Sequence, residues 1–244
     1  MNVRRLGLHL ALLHALVCAG CAPGWMTKAG ELSKTDMAGA YAVAAEAQER
    51  ETSPQNYAAA LLAGVYANRM GNGELARSHL QFALQDIGSN PKSLRAQAWH
   101  ALAITEVDSA FRELSTHMSD HSAGRRDLDA EGFRRHMGRV EGALTAAEED
   151  MQRAISLARE CGESDDARRY QLIRLGYRRM RDNMEAANDL LKCAGEASWV
   201  PGSSSGPTID AVVRRLDAMV SAWDDLCADC AESETQSDTA RSAR

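Results

Sequence analysis

The chain has 244 residues, with 34 acidic against 28 basic side chains and a formal net charge of −6. Aromatics make up only 5% while Ala, Leu, Met, Arg and Glu are abundant, which is the make-up of packed helices. The length suffices for one sizeable core, and the acid excess excludes the basic footprint that nucleic-acid binders carry.

The first twenty residues separate from the rest. Met1 to Arg5 carry two arginines and no acid, Leu6 to Val17 is almost wholly apolar, and Cys18-Ala19-Gly20 supplies small residues before Cys21. A basic start, a short apolar run and a small-residue cleavage region predict a secretory signal over 1–20. As a helix, Leu6 to Gly20 would span roughly 22 Å, short of the roughly 30 Å of a bilayer's hydrocarbon core. The stretch therefore reads as a cleaved signal, not a membrane anchor. Removing its two arginines leaves 26 bases against 34 acids, a net charge of −8.

Ala19-Gly20-Cys21 resembles the lipobox of bacterial lipoproteins, in which the cysteine thiol receives diacylglycerol. Cys18 departs from that pattern, where the family usually has Leu, and an ordinary signal-peptidase site is the competing reading. The resemblance implies lipidation (palmitate) at Cys21. With Ala22 and no acid next, it also implies the periplasmic face of the outer membrane.

Residues 21–35, opened by Ala22-Pro23-Gly24, read as a lipidated tether, and 36–230 as the folded body. An Ala-rich helix is predicted over Asp36–Arg50. Ser53-Pro54 starts the next, with Ser as N-cap and Pro in the first turn. That helix, Pro54–Met70, stops at Gly71-Asn72-Gly73. Glu74–Ile87 follows, closed by Gly88 and Ser89-Asn90-Pro91.

The stretch from Tyr57 to Pro91 resembles a tetratricopeptide repeat (TPR), a helix–turn–helix unit of about 34 residues. Gly64 stands where the first helix of that unit needs a small residue, Gly71 occupies the turn, and Ala76, Leu80 and Ala83 follow its small–large–small pattern. Pro91 comes a few residues later than the closing proline of the family. Trp99, Leu102 and Ala103 open a second, degenerate copy, whose helix runs on to about Met118. A polar break is predicted over Ser119–Asp127. Asp129–Arg159 then reads as a long helix, in which Gly132, Gly138 and Gly142 either weaken it or permit tight packing. A third unit is expected over Asp165–Ala194, with Leu175-Gly176 at the start of a repeat.

Glu196 to Thr208 reads as a loop. Ile209, Val212, Val213, Leu216, Met219, Val220, Trp223 and Leu226 form one apolar helical stripe, fit to cap the last face of a repeat array. Residues 231–244 read as a disordered tail. The fold class expected is all-α: antiparallel helical hairpins stacked as a short TPR-like solenoid with a C-terminal capping helix.

Four cysteines beyond Cys21 suggest disulfides in an exported chain: Cys161, Cys193, Cys227 and Cys230, with three pairings open. If Asp165–Ala194 were one helix its ends would lie roughly 45 Å apart, out of reach of a Cys161–Cys193 bond. A fold-back near Arg181-Asp182-Asn183 would bring the two together. Cys227-Ala-Asp-Cys230 has the spacing of thiol oxidoreductases. It ends a helix beside Asp224, Asp225 and Asp229, however, and both features disfavour a thiolate. A structural staple is the reading adopted.

His117 and His121, four apart around Asp120, have a spacing that metal ligands use. Without the glutamate of the zinc-protease motif they read as exposed histidines, and no metal or other cofactor is assigned. Arg174, Arg178 and Arg181 share a helical face in the densest basic stretch, Arg168–Arg181, with Tyr170 and Tyr177 between them. That stripe is the candidate partner-binding surface, able to grip acidic side chains. No catalytic constellation stands out, so the expected function is binding without turnover. The expectation is a membrane-tethered scaffold for an envelope protein or peptide, with no nucleic acid. The alternative is a periplasmic helical protein that binds a small ligand or metal.

Overall fold

The computed structural model describes residues 23–85, 90–122 and 130–194, and every regular element among them is an α-helix. In chain order these are α1 (Gly24–Leu32), α2 (Met37–Arg50), α3 (Gln55–Arg69), α4 (Gly73–Ala83), α5 (Lys92–Ser122), α6 (Ala130–Glu160) and α7 (Ser164–Ala194). Each packs mainly on its neighbours in sequence, and α3 also meets α5, so the hairpins stack as a solenoid. Side-chain pairs record the alternation of direction. Gly73 abuts Ser109 while Arg77 bonds Glu106, which sets α4 against α5. Lys92 meets Glu160, Trp99 meets Arg153 and Glu113 meets Arg139, so α5 and α6 are antiparallel.

Local chemistry starts and stops these helices. The Asp36 carboxylate accepts from the Gly39 backbone N–H at 2.9 Å and caps α2. Asn72 caps α4 in the same way, accepting from Leu75 N–H at 3.1 Å. Gly71 takes φ 85°, a left-handed conformation open to glycine at the end of α3. The Asn90 side-chain amide donates to the carbonyls of Ala83 and Gln85 at 2.9 and 2.8 Å, satisfying acceptors that the end of α4 leaves free.

Two cores meet at Trp99. The first gathers α1 to α4 and the start of α5 around α3, which is buried continuously from Tyr57 to Asn68. A helix buried on all sides is apolar all round, and α3 reads Tyr-Ala-Ala-Ala-Leu-Leu-Ala-Gly-Val-Tyr-Ala. The second core lies between α5, α6 and α7. A seam of its buried positions steps by alternating threes and fours: 96, 100, 103, 107, 110 and 114 on α5; 137, 140, 144, 147, 151, 154 and 158 on α6; 170, 173, 177, 180, 184 and 187 on α7, with Ile104, Phe111 and Ile155 buried beside it. That spacing is the seam of heptad packing.

Several expectations are corrected. The stretch expected as a tether folds from Pro23, and α1 buries Met26 and Ala29 against the first core. The helix expected from Pro54 starts at Gln55, with Pro54 in the cap position. The helix expected to reach Ile87 ends at Ala83, and residues 86–89 lie outside the described ones. The helix of Trp99 runs through Ser119 to Ser122, into the start of the predicted break, and residues 123–129 lie outside the described ones. The third unit does not fold back: α7 is one helix of 31 residues, with Met180, Met184 and Ala187 carrying its buried seam through the expected bend. The signal, Cys21, the cap stripe Ile209–Leu226, Cys227, Cys230 and the tail lie outside the described residues.

Candidate partner surface

The arginine-rich helix α7 sorts its side chains by the period of its seam. Tyr170 and Tyr177 fall on that seam and are 1% and 0% exposed. The two tyrosines proposed for partner binding are therefore core residues, a correction that follows from their 7-residue separation on one buried face. Arg178 and Arg181 flank the seam and turn to α6, where Glu148 lies 3.6 and 3.3 Å away. Glu148 is almost buried, so its carboxylate needs this compensation. Arg181 also lies 3.8 Å from Asp182. The Arg174 Nε is buried and makes no hydrogen bond. Much of the predicted stripe thus serves as an ion-pair seam between α6 and α7.

What α7 does present outward was missed by the sequence reading. Leu172 and Leu175 are 58% and 48% exposed, and Arg168 and Arg179 are exposed on either side. Spacings of four, three and four put these four residues on one helical face. The signal was available: two leucines that fall off the heptad seam on an otherwise charged surface.

Polar side chains also lie in and beside the bundle core. The His100 ring sits 4.8 Å from that of Tyr170 and neither of its nitrogens makes a hydrogen bond. Burial, and then the Arg169 charge, push its pKa down to about 3, so it is a neutral core side chain at ordinary pH. Burial likewise raises the Tyr170 hydroxyl. Nearer the junction of the two cores, the Arg77 guanidinium grips Glu106 through two bonds of 2.6 and 2.9 Å. Beside it, Asp150 accepts from Arg153 at 2.8 Å, and Arg153 covers the Trp99 ring at 4.6 Å. Burial raises Asp150 to about 6 against the pull of Arg153, with Glu106 adding to the rise.

His117 does not stand alone on the surface; its ring stacks on His136 of α6 at 4.9 Å, and His136 Nδ1 lies 3.8 Å from Glu113. The side chains of Asp120 and His121 lie outside the described residues. Among the described residues no group of three metal-ligating side chains forms a site. Cys161 is a free, exposed thiol in the α6–α7 turn, its pKa raised by burial and by Glu163. Cys193 belongs to the last turn of continuous α7, and 31 residues of helix put it roughly 45 Å from that turn. A bond between these two cysteines of one chain is excluded by that distance.

Among the described residues no helix is long and apolar enough to cross a membrane. The chain matches no family model, no curated protein and no solved structure.

Proposed function

We propose that this chain is a lipoprotein anchored through Cys21, a TPR-like scaffold that holds an envelope protein or peptide without turning it over. The observation that carries the binding role is the outward face of α7, where Leu172 and Leu175 stand exposed between Arg168 and Arg179. Apolar centres rimmed by arginine are the composition that protein interfaces favour. The repeat reading draws support from the α3–α4 hairpin, where a Cβ at Gly64 would lie 2.6 Å from Leu80 Cγ. That close approach is what the small residue of the repeat's first helix provides. The lipid reading rests on Ala19-Gly20-Cys21 after a basic and apolar leader, and places the chain on the periplasmic face of the outer membrane.

The test compares full-length wild type, Cys21→Ala and the Leu172→Glu/Leu175→Glu double variant in a bacterial host, crosslinked and recovered from detergent extracts. Wild type should partition with lipid and bring down a reproducible envelope protein. Cys21→Ala should lose both. The double variant should keep the membrane and lose the partner. If wild type and Cys21→Ala are both soluble and come down alone, the anchored scaffold is wrong. A double variant that still captures the partner would move the surface off α7.

A further inference from the structure

The fold begins very close to the proposed lipid. The Pro23 carbonyl accepts from Met26 N–H at 2.9 Å, and Met26 and Ala29 are buried at 2% and 0% exposure. Only Ala22 and Pro23 separate Cys21 from Gly24, the first residue of α1, and the three residue-to-residue steps span at most about 11 Å when extended. The flexible spacer expected from the sequence is therefore largely used up in a packed helix. A body held that closely cannot tumble freely above a bilayer.

Which part lies against the bilayer follows from the alternation of the helices. The start of α1, the α2–α3 turn, the start of α5 and the α6–α7 turn all fall at one end of the stack, and Lys92 bonding Glu160 at 2.8 Å joins two of them. The opposite end extends further. The α3–α4 turn is fastened to the middle of α5, where Arg112 donates to the Asn68 carbonyl and side chain at 3.2 and 2.9 Å. Beyond Arg112, α5 continues to Ser122, about 15 Å further at ~1.5 Å per residue. The α5–α6 tip, bearing the stacked His117 and His136, thus projects past the short hairpins.

We propose that this protein stands end-on at the membrane. The end carrying the α6–α7 turn and Cys161 lies at the lipid headgroups, and the α5–α6 tip points into the aqueous envelope. The proposal rests on the lipid anchor at Cys21. Its occupant is the bilayer surface itself, and its consequence is that a partner reaches the chain along the sides and tip of the long helices.

Cys161, free and exposed, supplies a native labelling site at the near end. Thr116, exposed on α5 and 24 residues beyond Lys92, supplies one at the far end, roughly 36 Å away. Lipidated full-length protein carrying Cys193→Ser, Cys227→Ser and Cys230→Ser would be labelled with a donor dye at Cys161. A second form would carry Cys161→Ser and Thr116→Cys and the same dye. Both would be reconstituted from detergent into vesicles of phosphatidylethanolamine and phosphatidylglycerol bearing a headgroup acceptor. Flotation with the vesicles is scored first, and helical content by circular dichroism confirms that each form is folded.

Energy transfer from Cys161 should exceed that from Thr116→Cys several-fold. A Gly-Ser spacer inserted between Pro23 and Gly24 should erase most of the difference while flotation persists. Equal transfer from the two sites, greater transfer from the tip, or no response to the spacer would overturn the end-on orientation and leave the anchor standing. A folded chain that does not float would instead remove the anchor, and the orientation with it.

Discussion

The two cores reach similar burial by different means. Around α3 the packing uses small side chains: Ala58, Ala59, Ala60, Ala63, Gly64 and Ala67 let neighbouring helices approach closely. Between α5 and α7 the contact is made by reach, with His100 and Tyr170 meeting ring to ring and Tyr177, Met180 and Met184 filling the seam. The first arrangement has no slack for added atoms. The second can absorb them on its outer surface, where a Cβ added at Gly138 or Gly142 would meet nothing within 4 Å. Glycine therefore does opposite jobs in the two regions. It is a packing requirement in α3, and a local weakness in α6.

Three measurements would break or sharpen that contrast. Gly64→Ala should cost the most, about 2–3 kcal/mol, because its Cβ would press on Leu80 Cγ at 2.6 Å and on the Ala76 carbonyl at 3.1 Å. Urea denaturation of the purified body reads this directly, and an unchanged midpoint would mean the hairpin is looser than the geometry requires.

The next effect is a pH dependence confined to the long-helix core. His100 has its pKa lowered to about 3 in the fold, against about 6.5 in an unfolded chain. Its neutral form suits the fold, so its contribution is intact above 6.5 and is lost as pH falls from there toward 3. At pH 5 the loss amounts to about 2 kcal/mol. His100→Phe, which can still pack on Tyr170, should flatten that limb. Asp150 acts with the other sign: raised to about 6, it favours the fold in its protonated form and loses that advantage as pH rises through about 6. Comparing His100→Phe and Asp150→Asn against wild type at pH 5 and pH 7 separates the two contributions. Parallel behaviour of His100→Phe and wild type would show that His100 is hydrated in solution.

The smallest effect is a gain. Gly138→Ala and Gly142→Ala should each stabilise by about 0.5–1 kcal/mol, since alanine removes backbone entropy from the unfolded chain and meets open space in α6. Thermal melts suffice to detect it. A loss at either position would reveal a close neighbour on that face and erase the difference between the regions.

Much of the architecture was legible locally. Asp36, Asn72 and Gly71 mark helix boundaries within a residue or two, because caps and turns act through hydrogen bonds to the nearest backbone. The α1 helix was missed for the complementary reason. Gly24 to Leu32 has only a few apolar residues and no capping side chain, and it is helical because Met26 and Ala29 find a core built by α2 and α3. The length of α7 was missed because a repeat unit predicts a turn near Arg181, while Met180 and Met184 continue an uninterrupted seam. In the candidate surface, the arginine density was visible but its use was not. Arg178 and Arg181 belong to Glu148, thirty or more residues earlier in the chain.

By itself the sequence determined the class of structure: helices, their approximate ends, and an acidic chain. Those properties depend on period, capping and composition, which are short-range. The tertiary structure decided which glycine is a packing site, which tyrosines are core, which arginines face solvent, and how little chain separates Cys21 from the folded body. Each of those depends on which residues distant in sequence lie across the interface, and only the packing of helix against helix sets that.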